Sequence, residues 1–349
     1  MRAVRILAAR RGPELVEVPT PVPGPGQALL AVTAVGLCHS DFLLMDTPAG
    51  MLRRLGVRLP LTLGHEIAGT VAALGPGARG VREGEAVAVY GAWGCGRCRR
   101  CTGGAENLCA HREALGIRPP GLGSPGGLAE YLLVDSPRHL APTGSLDPLQ
   151  AATMTDAGLT SYHAVKRSLP KLIPGSTAVV VGVGGLGHLA VQLLRALTPA
   201  RVVALDVSEA KLRLAAELGA HTTLLSDATA PGRIRELTDG VGADAVLDFV
   251  GVQPTVDLAG ACVAPGGDVT ITGIGRGALP VGFDAPAHEV SVMGTHWGTR
   301  TDFLEVIELA RAGVIATRVE SCALEDVPGA YERLRAGGVE GRVVARPSA

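Results

Sequence analysis

Aromatic residues are scarce, with four Phe, four Tyr and two Trp among 349 residues. An excess of either charge is also missing: 32 Lys and Arg face 33 Asp and Glu, for a formal net charge of -1. A chain so close to neutral has no electrostatic reason to seek nucleic acid or an acidic membrane surface. No apolar run reaches the length that spans a bilayer, and the valine-rich stretch around Val179 stops at a glycine cluster. The first residues bring Arg2, Arg5, Arg10, Arg11 and Pro13 in place of an apolar core, which excludes a secretory signal there and leaves a cytoplasmic location as the expectation. Heptads, internal repeats and low-complexity tails are absent too, which argues against coiled coils and solenoids.

The length favours two domains over one core. The first part reads as short β segments broken by Gly and Pro: Arg2–Leu7, Glu14–Val18, Ala28–Val35, Ile67–Leu74 and Ala86–Tyr90. That spacing predicts an antiparallel, barrel-like domain. From about Ser176 the rhythm changes to apolar β runs alternating with helical patterns, which predicts a doubly wound parallel sheet covered on both faces, an α/β fold. After Trp297 a helix over Asp302–Ala312 and a tail remain, expected to return to the first domain. The expected boundaries are 1–155 with 298–349 for the first domain and 156–297 for the second.

Between a predicted strand and a predicted helix, Gly182, Gly184 and Gly187 fit G-x-G-x-x-G, with Gly185 and Leu186 completing the turn. The first glycine permits a tight turn, the second lets backbone approach a pyrophosphate, and the third lets helix pack on strand. Taken alone, the triplet also reads as an ordinary turn in a glycine-rich chain. Asp206 closes the next strand about twenty residues on, where an acid bonds the ribose hydroxyls of NAD and repels a 2′-phosphate. Its other reading is a helix N-cap. NAD is favoured over NADP.

Seven cysteines are present, an odd number, and four of them, Cys95, Cys98, Cys101 and Cys109, form C-x-x-C-x-x-C-x(7)-C. In an intracellular protein such crowding favours metal over disulfides. Four thiolates close a tetrahedral zinc site without an open position, so this zinc would be structural. An iron–sulfur cluster is the alternative, weakened by the spacing and by Ala110 where a proline is expected. Cys262 and Cys322 lie in apolar segments and read as core.

Cys38 lies in G-L-C-H-S-D, His65 and Glu66 in L-G-H-E, and Asp156 in T-D-A-G-L-T. Thiolate, imidazole and carboxylate would give zinc three ligands and an open fourth place, where it acts as a Lewis acid on a hydroxyl. Singly, each has a plain reading as core cysteine, loop histidine or helix cap, and nothing in the spacing brings them together. The combination of G-H-E after a β-rich start, the four-cysteine lobe and G-x-G-x-x-G followed by an acid resembles the medium-chain zinc alcohol dehydrogenases, nearly end to end. C-H-S-D, V-Y-G-A-W-G-C-G, T-D-A-G-L-T-S-Y-H and H-W-G-T-R are similar to bacterial NAD-dependent secondary-alcohol dehydrogenases.

This resemblance implies a GroES-like catalytic domain, a Rossmann domain, NAD and two zinc ions per subunit, one catalytic and one structural. It implies Cys38, His65 and Asp156 as catalytic ligands, with Glu66 able to approach the metal. Ser40 would accept the hydroxyl proton, and His39 would contact cofactor phosphates or help release that proton. Thr160 would lie near the nicotinamide, Lys211 would bond the adenosine ribose, and Arg342 would reach the pyrophosphate. Leu43, Tyr90, Trp93, Leu115 and Trp297, with Ser40, would line the substrate pocket; for the two tryptophans, core or subunit interface is the competing reading. The chain departs from many relatives at Asp156, where they carry cysteine, and at Leu43, where they carry a proton-relay histidine.

An apolar pocket favours a secondary alcohol or ketone over a polyol, because a sugar needs a polar partner for each hydroxyl. A homodimer or homotetramer is expected, with no nucleic acid and no membrane as partner. The rival readings are a primary-alcohol, polyol or threonine dehydrogenase of the same architecture, a zinc-stapled NAD-binding redox sensor, and a zinc-free quinone reductase.

Overall fold

A computed structural model describes residues 1–347. The last two residues of the expected C-terminal return, 348–349, lie outside the described residues. The chain divides into two compact units, Met1–Asp156 with the stretch from Gly298 onward, and Ala157–Trp297. Asp156, expected at the head of the nucleotide domain, instead groups with the first unit. Its carboxylate faces side chains of that unit, as described below.

In the first unit the long strands Ala28–Gly36 and Glu66–Leu74 pair antiparallel along most of their length. Around them the sheet runs Val319–Ala323, Arg342–Arg346, Ala28–Gly36, Glu66–Leu74, Ala86–Val89, Leu140–Pro142, with Tyr131–Val134 also pairing on Ala28–Gly36. A smaller sheet orders Glu14–Glu17, Arg2–Ile6 and Leu61–Thr62. Leu30, Val32, Ile67, Val87 and Leu132 fill the core between them. Residues from the C-terminal stretch, among them Leu324, Tyr331 and Val343, belong to the same core. That shared core is why the chain must come back here: the strand Arg342–Arg346 lies beside Ala28–Gly36.

The second unit holds six parallel strands in the order Thr222–Leu225, Arg201–Asp206, Thr177–Val181, Ala243–Asp248, Val263–Ile271, Ser291–Gly294. Thr177–Val181 is buried at every position, as a strand covered on both faces must be, and its run of three valines suits that place. The strand order reverses direction beside it, so the glycine turn that follows sits at the switch point where such sheets bind ligands. Among the described residues no helix is long and apolar enough to cross a membrane.

Candidate metal centre and dinucleotide turn

Cys38 follows the end of the strand Ala28–Gly36, and the helix Ser40–Asp46 starts two residues later. Asp41, in the first turn of that helix, accepts the Cys38 amide at 3.1 Å and so fixes the bend. His65 enters from the opposite strand through Gly64, which has φ +90. A Cβ there would meet the Leu128 amide nitrogen at 2.9 Å, so the position excludes any larger residue. Asp156 comes from a single π-helical turn, Met154–Gly158, between the helices Pro148–Thr153 and Leu159–Ser168. Such turns displace a side chain from the regular helical face.

Three segments thereby meet. The ligand atoms of Cys38, His65, Glu66 and Asp156 all lie within 4.8 Å of one another. Asp156 Oδ2 is 3.6 Å from Cys38 Sγ and 3.6 Å from His65 Nε2. A tetrahedral zinc with bonds near 2.0–2.3 Å separates its ligand atoms by about 3.3–3.8 Å, so the donor set fits that ion in chemistry and in spacing. Ser40 Oγ lies 3.0 Å from Cys38 Sγ and 3.1 Å from His65 Nε2, against the centre itself. His39, before it, is exposed and meets Phe42 edge to face.

The electrostatics follow from burial. Loss of water works against a thiolate at Cys38, but the Arg342 charge and the His65 ring bring its pKa below the usual cysteine value. Burial likewise disfavours charge on His65, yet the nearby Asp41 and Asp156 carboxylates raise it well above the usual histidine value. Asp41 was not among the residues singled out from the sequence. It is wholly buried, its Oδ1 faces His65 Nδ1 at 3.1 Å, and Tyr331 donates its hydroxyl to Oδ2 at 2.7 Å. The C-H-S-D run held the signal for Asp41; nothing local marks Tyr331.

In the lobe, all four cysteines are free thiols whose sulfurs lie within 4.8 Å of one another. Cys98 Sγ is 3.5 Å and Cys95 Sγ 3.9 Å from Cys101 Sγ, close to the ~3.8 Å expected between sulfurs on one tetrahedral zinc. Backbone amides point at these sulfurs: Cys98 N donates to Cys95 Sγ, and Cys95 N and His111 N both donate to Cys109 Sγ, each at 3.4 Å. Backbone hydrogen bonds from Cys101 and Ala110 bring the Cys98 thiol down to about 6, while burial pushes Cys101 up to about 12. Cys262 is buried in the core of the second unit and Cys322 is half-buried against that of the first, and burial pushes both thiols up to about 11.

At the dinucleotide turn, Gly182 adopts φ +86 and its amide bonds Leu205. A Cβ on Gly187 would stand 1.8 Å from the Gly182 carbonyl oxygen, whereas one on Gly184 would meet nothing within 4 Å. The open backbone is therefore at the second glycine, where a pyrophosphate needs it. Gly185 and Leu186 lead into the helix Gly187–Leu197, and Ser161 fixes the Leu186 carbonyl at 2.9 Å. Asp206 accepts the Val183 amide at 2.7 Å and the Ser208 amide at 2.9 Å. It stands before Ser208, the residue at the N-cap, so the N-cap reading of Asp206 is set aside. Lys211 is half-buried on the helix Glu209–Glu217, and Thr160 is buried on Leu159–Ser168.

Residues 24–144 match the alcohol dehydrogenase GroES-like domain, and residues 185–312 match the zinc-binding dehydrogenase family. An NAD-dependent alcohol dehydrogenase of Sulfurisphaera tokodaii is 35% identical, over 99% of this chain and all of its own length. The chain belongs to the zinc-dependent medium-chain alcohol dehydrogenases. As a member of that family it is an NAD(P)-dependent alcohol dehydrogenase. A D-arabinose 1-dehydrogenase (NADP(+)) of Saccharolobus solfataricus is 33% identical, covering 95% of this dehydrogenase and 93% of itself. The solved acetophenone reductase of Geotrichum candidum, in complex with NAD, superposes with a TM-score of 0.79 at 34% identity, covering 99% and 96% of the two chains.

Several residues of the dehydrogenase stand elsewhere than expected. Arg342, expected at the pyrophosphate, is 3% exposed, and its guanidinium meets the buried Glu66 carboxylate, so its charge is already spent. Tyr90 is wholly buried, donates its hydroxyl to the Gly298 carbonyl at 2.8 Å and packs on Phe303; it is core, not pocket wall. Trp93 keeps its core reading: its ring stacks on His139 at 4.9 Å and its indole N–H bonds the Tyr90 carbonyl. Leu43 is exposed, Leu115 is half-buried at the end of a short helix, and Trp297 is buried at φ +53 beside His296.

Proposed function

We propose that this enzyme oxidises secondary alcohols, and reduces the corresponding ketones, with NAD as hydride carrier and one catalytic and one structural zinc ion per subunit. The observation that carries the reading is the convergence of Cys38, His65 and Asp156, with Ser40 in contact with two of them. When bound, the catalytic zinc supplies Lewis acidity that lowers the pKa of an alcohol hydroxyl, and the nicotinamide supplies the acceptor for hydride.

The chain's own residues do the rest. Cys38, His65 and Asp156 would hold the ion, and Asp41 sets the ring of His65. Ser40 Oγ would accept the proton that the substrate hydroxyl gives up while passing its own proton on. With Leu43 at the outer relay position, the final proton step falls to water or to the exposed His39. Gly184 presents backbone to the pyrophosphate and Asp206 favours unphosphorylated ribose, which supports NAD. The likeness to an acetophenone reductase supports the substrate class. A homo-oligomer accords with the family resemblance.

The test is NADH formation from NAD with propan-2-ol, 1-phenylethanol, ethanol and D-arabinose, each before and after chelation with zinc added back. Chelator-sensitive turnover that is fastest on the two secondary alcohols is the expected result, and His65→Ala or Asp156→Ala should abolish it while NADH still binds. Preference for D-arabinose with NADP would replace the reading by that of the sugar-oxidising relative, and full activity in either alanine variant would remove the ligand assignment.

A further inference from the structure

Tyr331 lies 290 positions from Asp41 in the chain, on the helix Val327–Arg335, yet its hydroxyl donates to Asp41 Oδ2 at 2.7 Å. Both side chains are shut away from water: Asp41 is 0% and Tyr331 2% exposed. The helix is held where it is by Val327, Ala330 and Leu334, which share its buried face with Tyr331. Phe42 packs edge-on against the Tyr331 ring at 5.8 Å, and Arg335 covers Phe42 at 4.2 Å while pairing with Asp46. The tyrosine thus has no freedom to choose another acceptor.

Its bond completes a closed set. Asp41 Oδ1 takes the His65 Nδ1 hydrogen, and Oδ2 takes the Cys38 amide and the Tyr331 hydroxyl. With donors on both oxygens the carboxylate cannot turn about its Cβ–Cγ bond without breaking one of them. That fixed orientation keeps the hydrogen of the imidazole on Nδ1 and leaves the Nε2 lone pair for the metal. Outer hydrogen bonds of this kind set the ring orientation and basicity of a metal-bound histidine. Burial and the Asp41 charge both raise the phenol well above its usual range, so it stays a donor.

We propose that Tyr331 is a positioning residue for the catalytic metal, locking Asp41 so that His65 presents Nε2 to the ion. The inference rests on the reading of Cys38, His65 and Asp156 as that metal's ligands. It joins the Tyr331 hydroxyl to Arg342 as a second contribution of the C-terminal return to the reaction centre.

The experiment compares wild type, Tyr331→Phe and Leu334→Ala as full-length proteins. Tyr331→Phe keeps the ring and its packing and removes only the donor. Leu334→Ala loosens the same helix and keeps the hydroxyl. Zinc affinity at both sites is measured by competition with a chromophoric chelator, and the absorption bands of the cobalt-substituted catalytic site are recorded. Tyr331→Phe is expected to weaken the catalytic site about tenfold, the lower end of the range for outer partners of metal ligands, and to shift its cobalt bands. Its four-cysteine site should be unchanged. Leu334→Ala should lower the melting temperature without either effect. Equal catalytic-site affinity and identical cobalt bands in Tyr331→Phe and wild type would overturn the inference alone, as would equal weakening in Leu334→Ala. A wild type that holds metal only at the four cysteines would overturn the ligand reading, and the inference with it.

Discussion

Replacing Gly184 with alanine separates the fold from the cofactor site. Nothing lies within 4 Å of the place a Cβ would take, and the residue does not adopt a positive φ, so alanine fits the folded backbone. A glycine replaced under those conditions gains about 0.4–1 kcal/mol, because the unfolded chain loses freedom. The same methyl group occupies the space into which a pyrophosphate must come. Pushing the phosphate back breaks at least one charge-assisted bond to a backbone N–H, worth about 1.5–3 kcal/mol. The dissociation constant for NADH should therefore rise about 10- to 100-fold in a protein that melts no lower than wild type. Gly187→Ala is the contrasting change: its Cβ would stand 1.8 Å from the Gly182 oxygen, an overpacking that should destabilise by about 1–3 kcal/mol as well as weaken binding. NADH fluorescence titration, thermal melting and zinc content, measured side by side, check both. Gly184→Ala protein with wild-type affinity for NADH would refute the placement of the pyrophosphate at this turn.

Asp206→Ser should weaken NAD use and relax the bias against NADP, read as the ratio of kcat/KM for the two cofactors; because the Val183 and Ser208 amides lose their acceptor, the melting temperature should fall as well. His188 donates Nδ1–H to the Gly184 carbonyl at 2.8 Å, and burial brings its pKa down from 6.5 to about 4. The unfolded chain then takes up a proton below about pH 6.5 that the folded one refuses until about pH 4, so stability present above pH 6.5 falls by up to about 3 kcal/mol on acidification. His188→Asn keeps a donor near the carbonyl and should flatten urea-unfolding stability between pH 7 and 5; parallel curves for the two proteins would contradict this.

The alternation of strands and helices in the nucleotide unit was legible because its signals are local. A valine run, a glycine turn and an apolar-periodic helix are each made by neighbours in the chain, and Thr177–Val181 with Gly187–Leu197 shows all three. The four-cysteine lobe is legible for the same reason, its ligands lying within one loop. The catalytic centre is different. Cys38, His65 and Asp156 come from three segments, one of them a π-helical turn that no residue pattern announces, and only the family resemblance joined them beforehand. Tyr331 was out of reach because an ordinary tyrosine at helical spacing looks like core, and it is core on every side but its hydroxyl. Tyr90 and Trp93 err in the opposite direction: in a chain poor in aromatics each invites a functional role, and each is held by packing and one carbonyl.

The position of Arg342 has a cause in the charge of the centre. Cys38, Glu66 and Asp156 bring three groups that can be anionic to one place, and Glu66 is wholly buried among them. A divalent ion held by Cys38, His65 and Asp156 would balance two of those charges and leave Glu66 uncompensated. Asp41 is a fourth group that can be anionic and the third carboxylate, but its charge is already shared with the imidazole, an amide and a hydroxyl. Removing an anion's partner in such surroundings costs more than the pair gains by forming, because the remaining charge has no water to return to. Arg342 meets that need from a strand that pairs with Ala28–Gly36, beside the centre. Its guanidinium is therefore committed to the Glu66 carboxylate rather than left for a pyrophosphate.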